Sequence, residues 1–459
     1  MTGNATGTGA RATIAVTLAL GTALTATACG SSSATPTTGG PVTISVGCEP
    51  PTSVPTARAN WVADVTAFEK LNPKITVNGD DTNPCDDPAT FDAKLAGGQM
   101  DNVFYTYFTD GDNVIDSGQA ADIQSYANQI NDVGDIQQSL LDVYRKGNTA
   151  SGDLYGVPTG NYSLGLVYNR ALFTQAGLNP DQPPTTWAAV ESDAIAISKL
   201  GNGIVGYGDY SAAGTGGWHF ATEVYSRGGS MVSKNGQSAA FNDAAGLQTL
   251  QFLHRLRFTD NVMGVKQGLQ YNDLLQMMAS GKLGMYVGAP DNLTAIHTQY
   301  NVAYDNLGVG PMPGETATLL GGSGYMFNKN DSPAQIAAGI KFVNYEFMTS
   351  GIGQFNYPRL AATKQPVGLP EPDMWIGRSA TDNASEVAKY ANIPTQNFAA
   401  YVAALPKMKL LIEPPQAQAI YAQGDKAMDA ALTDPNANLP QLLSTFAAAT
   451  NTILANAQH

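Results

Sequence analysis

Histidine, cysteine and basic residues are all scarce in this sequence of 459 residues, and each scarcity makes one class of function less plausible. The 3 cysteines and 4 histidines are too far apart for a metal site with the usual close ligand spacing. The 24 basic residues are outnumbered by 38 acidic ones, which disfavours nucleic acid as a partner. After residue 28, no apolar run is long enough to span a bilayer.

The motifs of several enzyme classes are also absent. The sequence contains no G-x-S-x-G, S-x-x-K, H-E-x-x-H or G-x-x-x-x-G-K-[ST] motif. Residues 201–206, GNGIVG, fit the dinucleotide pattern, but they follow a predicted helix and precede a predicted strand, which is the wrong order. They are interpreted as a turn. A glycosidase stays possible, because its two carboxylates leave no sequence signature.

The first 40 residues have the composition of an export signal followed by a flexible tether. One charge, Arg11, precedes a short apolar run, and small residues lead to Cys29. Residues 1–28 resemble a bacterial lipoprotein signal, after which the cysteine receives lipid such as palmitate, although Ala26 replaces the usual leucine. An ordinary cleaved signal is the alternative. Residues 29–40 form the predicted tether, so the expected location is the extracellular face of the cell membrane.

Cys48 and Cys85 are the cysteines that follow the tether. In an exported chain, a disulfide between them is the expected state. Such a bond would stabilise the fold by roughly 4 kcal/mol through chain entropy.

Strand-like and helix-like segments alternate along the rest of the chain. Residues 42–47 alternate like a strand, and residues 57–72 place Trp61, Val65, Phe68 and Leu71 at helical spacing. The alternation continues to the C-terminus and predicts an α/β protein with mostly parallel sheets and helices on both faces. The chain is too long for a single core, so two lobes are predicted.

Residues 153–190 carry the most informative pattern, DLYGVPTGNYSLGLVYNRALFTQAGLNPDQPPTTWAAV. The segment predicts two strands separated by a break, then a helix, and a further helix with Thr185 or Thr186 as its N-cap. It resembles the extracellular solute-binding proteins of ABC importers, the family that includes maltose-binding protein. Residues 273–292, 321–330 and 337–357 agree with this resemblance in order and spacing.

The resemblance implies the type II periplasmic-binding-protein fold, in which two α/β lobes on a hinge close around a solute in the cleft between them. It also implies that the chain crosses between lobes near Gly160, Asp305 and Gly353. No cofactor is implied.

These crossings give the predicted domains. The N-terminal lobe comprises residues 41–160 and 306–353. The C-terminal lobe comprises residues 161–305 and 354–459.

Sugar recognition combines flat aromatic faces with carboxylate or amide groups that bind hydroxyls, and open α/β sheets bind ligands at strand ends. Tyr107 and Asp110 follow the third predicted strand and match the family segment that contacts the sugar. Glu49 follows the first strand, and Asn161 and Tyr162 lie at the first predicted crossing. These five residues are predicted to contact the ligand.

Four further ligand contacts are predicted from later segments. Trp218 follows a glycine-rich stretch, where the ring is either part of the core or exposed for stacking on a sugar. Asp291 lies where family members often carry a tryptophan that stacks on the sugar, which indicates a smaller or differently oriented ligand. Tyr325 lies in segment 321–330, which the resemblance covers, and Arg359 lies in the segment predicted to return to the C-terminal lobe. These two residues complete the set.

The predicted function is that of a monomeric, lipid-anchored receptor without catalytic activity. It would capture a mono- or oligosaccharide and deliver it to the transmembrane subunits of an ABC permease. One alternative is a non-sugar solute, such as a glycerol phosphodiester or a peptide. A secreted glycosidase is the other.

Overall fold

The computed structural model describes residues 40–457, except for residues 83–84 and 86–87. The predicted signal peptide, the predicted lipid site Cys29 and tether residues 29–39 lie outside the described residues. Within the described part of the chain, no helix is both long enough and apolar enough to cross a bilayer.

The strands of the described part form two separate sheets. In chain order they are β1 (Val42–Gly47), β2 (Ile75–Asp80), β3 (Val103–Tyr107), β4 (Gly156–Ser163), β5 (Gly165–Asn169), β6 (Val205–Tyr207), β7 (Leu283–Gly288), β8 (Leu307–Gly310), β9 (Ala317–Phe327) and β10 (Lys409–Ile412).

The α-helices of the described part cover these sheets. They are α1 (Pro55–Leu71), α2 (Pro88–Ala96), α3 (Gly111–Asp116), α4 (Gln138–Val143), α5 (Arg170–Gln175), α6 (Trp187–Ser198), α7 (Thr215–Ser226), α8 (Ala244–Phe258), α9 (Tyr271–Ala279), α10 (Asn292–Tyr300), α11 (Pro333–Phe347), α12 (Tyr357–Ala362), α13 (Gly377–Tyr390), α14 (Ala399–Ala404), α15 (Ala417–Thr433) and α16 (Leu439–Asn456).

Both sheets are mixed, so the prediction of mostly parallel sheets is wrong. The first sheet has the order β10-β9-β3-β1-β2, with β4 beside β9, and β9 is antiparallel to both β3 and β4. The second has the order β6-β7-β5-β8, and β5 is antiparallel to β7 and β8. No α-helix separates β4 from β5 or β8 from β9 in the described chain, and parallel neighbours need a crossover connection. The alternation of predicted strands and helices does not show where such direct strand-to-strand connections occur.

Helix α1 illustrates how local sequence determines an element. Pro55 occupies its first turn, where a missing backbone N–H breaks no helical hydrogen bond. Trp61, Val65 and Phe68 recur at helical spacing and pack into the core of the first sheet, as predicted. Leu71 is instead 70% exposed, because the buried face of the helix ends before its last residue.

The PPTTW segment forms the predicted helix start. Thr186 is the N-cap of α6, and its side-chain oxygen accepts a hydrogen bond from the Ala189 backbone N–H at 3.1 Å.

Each sheet has its own hydrophobic core. On β5, Leu166 and Tyr168 pack into one cluster and Val167 into another, so both faces of the second sheet are covered. The first sheet packs around a separate cluster that includes Val103 and Phe104. The cluster around Leu166 and Tyr168 also contains Ala317 and Leu319 of β9, so the two cores meet at that strand. The two distinct sheets agree with the predicted two-lobe α/β fold.

The chain passes from one sheet to the other at two short connections. β4 ends at Ser163 in the first sheet, and β5 begins at Gly165 in the second. β8 ends at Gly310 in the second sheet, and β9 begins at Ala317 in the first. The predicted crossing near Asp305 therefore lies before β8, and the change of sheet comes after it.

A disulfide joins Cys48, the residue after β1, to Cys85, and their Cα atoms are 5.2 Å apart. The Glu49 backbone N–H donates to the Asp80 carbonyl oxygen at 3.3 Å, so the loop after β1 is also held at the end of β2.

Candidate ligand-binding cleft

Acidic side chains follow strands of both sheets. Asp110 lies shortly after β3, and Glu413 lies directly after β10, at the edge of the first sheet. Asp291 lies shortly after β7 in the second sheet. Open α/β sheets bind ligands at such strand ends, so these carboxylates mark the candidate cleft.

Tyr162, near the end of β4, connects these acidic groups. Burial raises its pKa well above the ordinary value, and Glu413 and Asp291 raise it further, as do Tyr105 and Tyr107. The Tyr162 hydroxyl therefore lies within electrostatic range of carboxylates that follow strands of different sheets. The structure brings Tyr162, Asp291 and Glu413 together from distant parts of the sequence.

Aromatic rings accompany these carboxylates. The Tyr162 and Trp218 rings are edge to face, with centroids 6.2 Å apart. Tyr105 and Tyr107 lie on one face of β3, and their centroids are 5.2 Å apart. Half-buried Tyr107 and Trp218 supply the kind of surface on which a sugar ring stacks.

Tyr325 occupies a more interior position than the sequence predicts. It is only 4% exposed, and its ring stacks on Phe347 with a centroid distance of 4.5 Å. On its other side it meets Tyr105 at 5.8 Å. Tyr325 therefore packs between Phe347 and Tyr105, and its role as a ligand contact stays a prediction.

Asp110 and Glu413 lie within electrostatic range of each other. Burial raises the pKa of Asp110 to about 6, and Asp92 adds to the shift. Burial also raises the pKa of Glu413 to about 8, and the charge of Asp110 raises it further. The Tyr421 hydroxyl donates to Glu413 at 3.4 Å, which stabilises the charged form only weakly.

Asp291 and Glu371 form a second pair. Both residues keep exposed surface, yet burial of their carboxyl groups raises both pKa values, that of Glu371 to about 8. The charge of Asp291 also raises the pKa of Glu371. Exposed surface together with crowding by protein atoms is the expected state of groups on the wall of an open cleft.

Glu371 and Glu413 are not among the residues predicted from the sequence. Glu413 begins an EPP triplet after a short apolar run, and Glu49 does the same after β1. The feature that selected Glu49 therefore also identifies Glu413. Glu371 lies in the loop between α12 and α13, and no comparable pattern marks it.

Two predicted contacts are engaged by other side chains. Glu49 forms an ion pair with Arg58, with 3.0 Å between Oε1 and Nη2. Arg359 makes two bonds of 2.6 Å to Asp64 on α1 and donates to the Gly353 carbonyl oxygen at 3.0 Å. Their roles in ligand binding stay predictions, but each side chain already has a structural partner.

Asn161 is 9% exposed, and its Nδ2 donates no hydrogen bond to any described residue. A buried amide of this kind normally has a partner. It remains a candidate donor at the end of β4.

The glycine-rich N-terminus of α7 is already occupied by a carboxylate. Asp425 on α15 accepts hydrogen bonds from the backbone N–H groups of Gly214 and Gly217, at 2.6 and 3.0 Å. A helix N-terminus is a favourable position for an anion, and here the protein supplies its own. This end of α7 is therefore not open to a phosphate group.

A surface depression lies elsewhere, between α15 and α16. It is lined by Gln423, Lys426, Ala427, Leu442, Thr445, Phe446 and Ala449. It contains none of the carboxylates described above, and we do not assign it to the cleft.

Comparison with known proteins shows the family and the fold. The family model described as bacterial extracellular solute-binding protein matches residues 52–350. A probable amino-acid ABC transporter periplasmic-binding protein of Sinorhizobium fredii is 31% identical over 196 residues. That match covers 41% of this chain and 42% of the relative, so the chain spans about two fifths of its length.

Two solved structures resemble nearly the whole chain. A solute-binding protein from Thermotoga lettingae, with bound alpha-D-tagatose, has a TM-score of 0.69 and 20% identity and covers 91% of this chain and 100% of that one. A Mycobacterium tuberculosis protein in complex with glycerophosphocholine has a TM-score of 0.68 and 20% identity, with coverages of 92% and 99%. At these identities the likeness shows the fold alone.

Proposed function

The chain belongs to the bacterial extracellular solute-binding protein family, and on this basis we propose that it captures a mono- or oligosaccharide for an ABC importer. The observation that carries the proposal is that Asp291 and Glu413 lie within electrostatic range of the Tyr162 hydroxyl, with Asp110 within range of Glu413 and the Trp218 ring beside Tyr162. Carboxylates accept hydrogen bonds from sugar hydroxyls, and aromatic rings cover the apolar faces of the sugar.

The proposed mechanism is closure of two lobes around the sugar. We assign β1–β4, β9 and β10 to one lobe and β5–β8 to the other, with the connections at 163–165 and 310–317 as part of the hinge. A sugar that contacts both lobes stabilises the closed state because it binds that state better than the open one. The closed, monomeric receptor would then dock on the permease.

A non-sugar solute is the second candidate, because one similar structure holds glycerophosphocholine. The residues described for the cleft disfavour an anionic ligand. The carboxyl groups of the cleft would repel a phosphate group, and the N-terminus of α7 already binds the Asp425 carboxylate.

We also propose that Cys29 carries a lipid anchor and that residues 29–40 tether the receptor to the outer face of the membrane. Replacement of Cys29 by serine would then release the protein into the medium, and incorporation of labelled palmitate would be lost. Retention of the label in the variant would contradict the proposal.

The test of the sugar proposal uses residues 30–459 and a panel of mono-, di- and trisaccharides, glycerol phosphodiesters and short peptides. A ligand at a hundredfold excess over Kd should stabilise the fold by about 2.7 kcal/mol, visible as a rise in melting temperature. The rise should occur with one class of sugar and disappear in Asp110→Ala and Trp218→Ala. A rise only with phosphodiesters or peptides would overturn the sugar assignment, and steady hydrolysis of an oligosaccharide would favour a glycosidase.

A further inference from the structure

We propose that Asn292 is a positioning residue for ligand binding, which orients the Asp291 carboxylate toward the bound solute and is itself oriented by the Tyr286 hydroxyl. The inference rests on the proposed function, because it explains how one of the proposed ligand contacts is held before the solute arrives. The three side chains form one hydrogen-bonded chain at the end of β7.

The chain runs from the interior of the second lobe to its surface. Tyr286 on β7 is fully buried, and its hydroxyl donates to Asn292 Oδ1 at 3.0 Å. Asn292, the first residue of α10, is 3% exposed and donates from Nδ2 to Asp291 Oδ1 at 3.0 Å. Asp291 itself is exposed. A buried hydroxyl therefore fixes a buried amide, and the amide fixes one oxygen of an exposed carboxylate.

Hydrogen-bond chemistry selects one orientation of the Asn292 side chain. An ionised carboxylate only accepts, so it faces the amide nitrogen, and the amide oxygen is left to accept from the Tyr286 hydroxyl. The end of β7 also leaves space for this arrangement. A Cβ atom at Gly288 would lie 2.7 Å from Asn292 Oδ1 and 2.7 Å from the Tyr286 ring, which is too close for either contact. Glycine at this position therefore provides the room that the amide and the ring occupy.

Asp291 does not perform the structural task that its position offers. It is the N-cap residue of α10, where an aspartate side chain commonly accepts from the backbone N–H of the second or third helical residue. In the described structure its side chain makes no such bond, and the backbone N–H groups of Leu293 and Thr294 donate to backbone carbonyl oxygens instead. The helix therefore does not use this carboxylate, and Asn292 holds it for another role.

Ring contacts connect this hydrogen-bonded chain to the proposed stacking ring. The Tyr286 and Tyr210 ring centroids are 6.1 Å apart, and those of Tyr210 and His219 are 4.2 Å apart. The His219 ring stacks on Trp218 at 5.5 Å, and Trp218 packs against the same hydrophobic cluster as Tyr286. Close-packed interiors are rigid, so this packing keeps Asp291 and Trp218 in a fixed relation within the second lobe.

The experiment measures affinity and stability separately in variants of residues 30–459. Isothermal titration calorimetry gives Kd for glucose, galactose, mannose, maltose and maltotriose, with glycerophosphocholine and trialanine as non-sugar probes. Asp291→Ala should weaken the tightest binder by about tenfold to hundredfold, because a hydrogen bond to a carboxylate is lost. Asn292→Leu is similar in size but has neither donor nor acceptor, and it should weaken the same binder by about three- to tenfold.

A double variant separates positioning from stability. Asn292→Leu alone leaves the Tyr286 hydroxyl buried without its partner, so urea denaturation should show a loss of stability. Addition of Tyr286→Phe removes the second polar group, and most of the stability should return. The affinity should stay as weak as in Asn292→Leu, because Asp291 still lacks its donor. Recovery of affinity together with stability would show that Asn292 acts only through the fold, and it would overturn the inference.

Two further comparisons locate the effect at Asp291. In the Asp291→Ala background, Asn292→Leu should weaken binding no further, and an equal additional loss would contradict the proposed role. Asn397→Leu is the matched control. Asn397 is 5% exposed and donates from Nδ2 to the Leu307 carbonyl oxygen at 3.1 Å, so this variant should lower stability and leave Kd unchanged.

The outcomes keep this inference apart from the proposed function. Sugar binding that Asn292→Leu leaves unchanged overturns the inference and keeps the sugar receptor. Binding of glycerophosphocholine or trialanine alone overturns the sugar assignment, and weakening of that binding in the double variant still supports the positioning role. Binding of none of these compounds overturns both.

Discussion

Acids with a raised pKa lie both inside the second lobe and in the cleft, and the fold supplies them with different partners. Inside the second lobe, Glu223 is fully buried and pairs with Arg227, whose side chain is 7% exposed, at 3.1 Å. The Tyr207 hydroxyl donates to the same carboxylate at 3.3 Å. In the cleft, Glu413 has one weak donor, Tyr421, and an acidic neighbour.

The interior cation has further support. The Arg227 guanidinium lies 4.1 Å from the centroid of the Trp187 ring, so the flat face of the guanidinium is covered.

The interior also holds a neutral histidine. Burial lowers the pKa of His219 to about 3, and its Nδ1 is hydrogen-bonded to Asp209.

This difference shows what each region is organised to do. Glu223 receives a cation and a donor from the fold itself, although burial still raises its pKa to about 8. Removal of Arg227 therefore leaves this buried acid without its opposite charge. Acids that lack such partners strain the fold slightly and become satisfied when a ligand supplies donors or charge. The interior pair should therefore determine stability, and the cleft acids should determine binding.

The largest expected effect is on the interior pair. Arg227→Met keeps an apolar stem over Trp187 but leaves Glu223 buried without its cation. We expect the free energy of unfolding to fall by about 3–5 kcal/mol, measured by urea denaturation of residues 30–459.

Arg378→Met is the control for this variant. Arg378 is 89% exposed on α13 and pairs with Asp382 at 3.2 Å, so the change should stay below about 1 kcal/mol. A similar small loss in both variants would mean that burial of the Glu223–Arg227 pair has no special importance.

The next effect is on the pH dependence of stability. Burial raises the pKa of Glu413 from 4.5 to about 8, so the folded state favours its protonated form. The stability that protonated Glu413 contributes to the folded state is fully present below pH 4.5 and is lost as the pH rises through about 8. The titratable groups that face Glu413 are Asp110, Tyr162, Tyr225 and Tyr421.

Glu413→Gln removes this titration. Near pH 5 the variant should be about as stable as the wild type, and near pH 9 it should be more stable by on the order of 1 kcal/mol. Urea denaturation across this range measures the difference. Glu386→Gln is the matched control on α13, where the carboxylate pairs with Lys389 at 3.8 Å, and it should follow the wild type. Parallel curves for Glu413→Gln and the wild type would show that the fold already stabilises the ionised Glu413.

Sequence reasoning recovered features that depend on neighbouring residues. The strand 42–47, the buried face of α1 and the Thr186 cap all follow from side chains within a few positions of each other. Asp110, Tyr162 and Asp291 follow instead from the resemblance to the solute-binding family, whose segments at these positions contact the ligand.

Features that depend on distant residues were missed. The Asp64–Arg359 pair joins residues 295 positions apart, and the sequence contains no pattern that connects them. The antiparallel pairing of β9 depends on where the chain changes sheets, which local periodicity does not report. Glu371 lies in a loop, and only the folded chain brings it within range of Asp291.

The smallest expected effects test the comparison through two tryptophans. The Trp218 ring lies beside Tyr162, so Trp218→Phe should weaken binding of the proposed sugar ligand by about 0.5–1 kcal/mol, a few-fold change in Kd, with little loss of stability. Trp187 donates from Nε1 to the Ser226 hydroxyl at 3.0 Å beneath Arg227, so Trp187→Phe should lower the free energy of unfolding by about 1 kcal/mol and leave Kd unchanged. Calorimetry and urea denaturation on both variants give a two-by-two comparison. Loss of stability from the cleft variant, or loss of affinity from the interior one, would show that the two regions are coupled rather than separate.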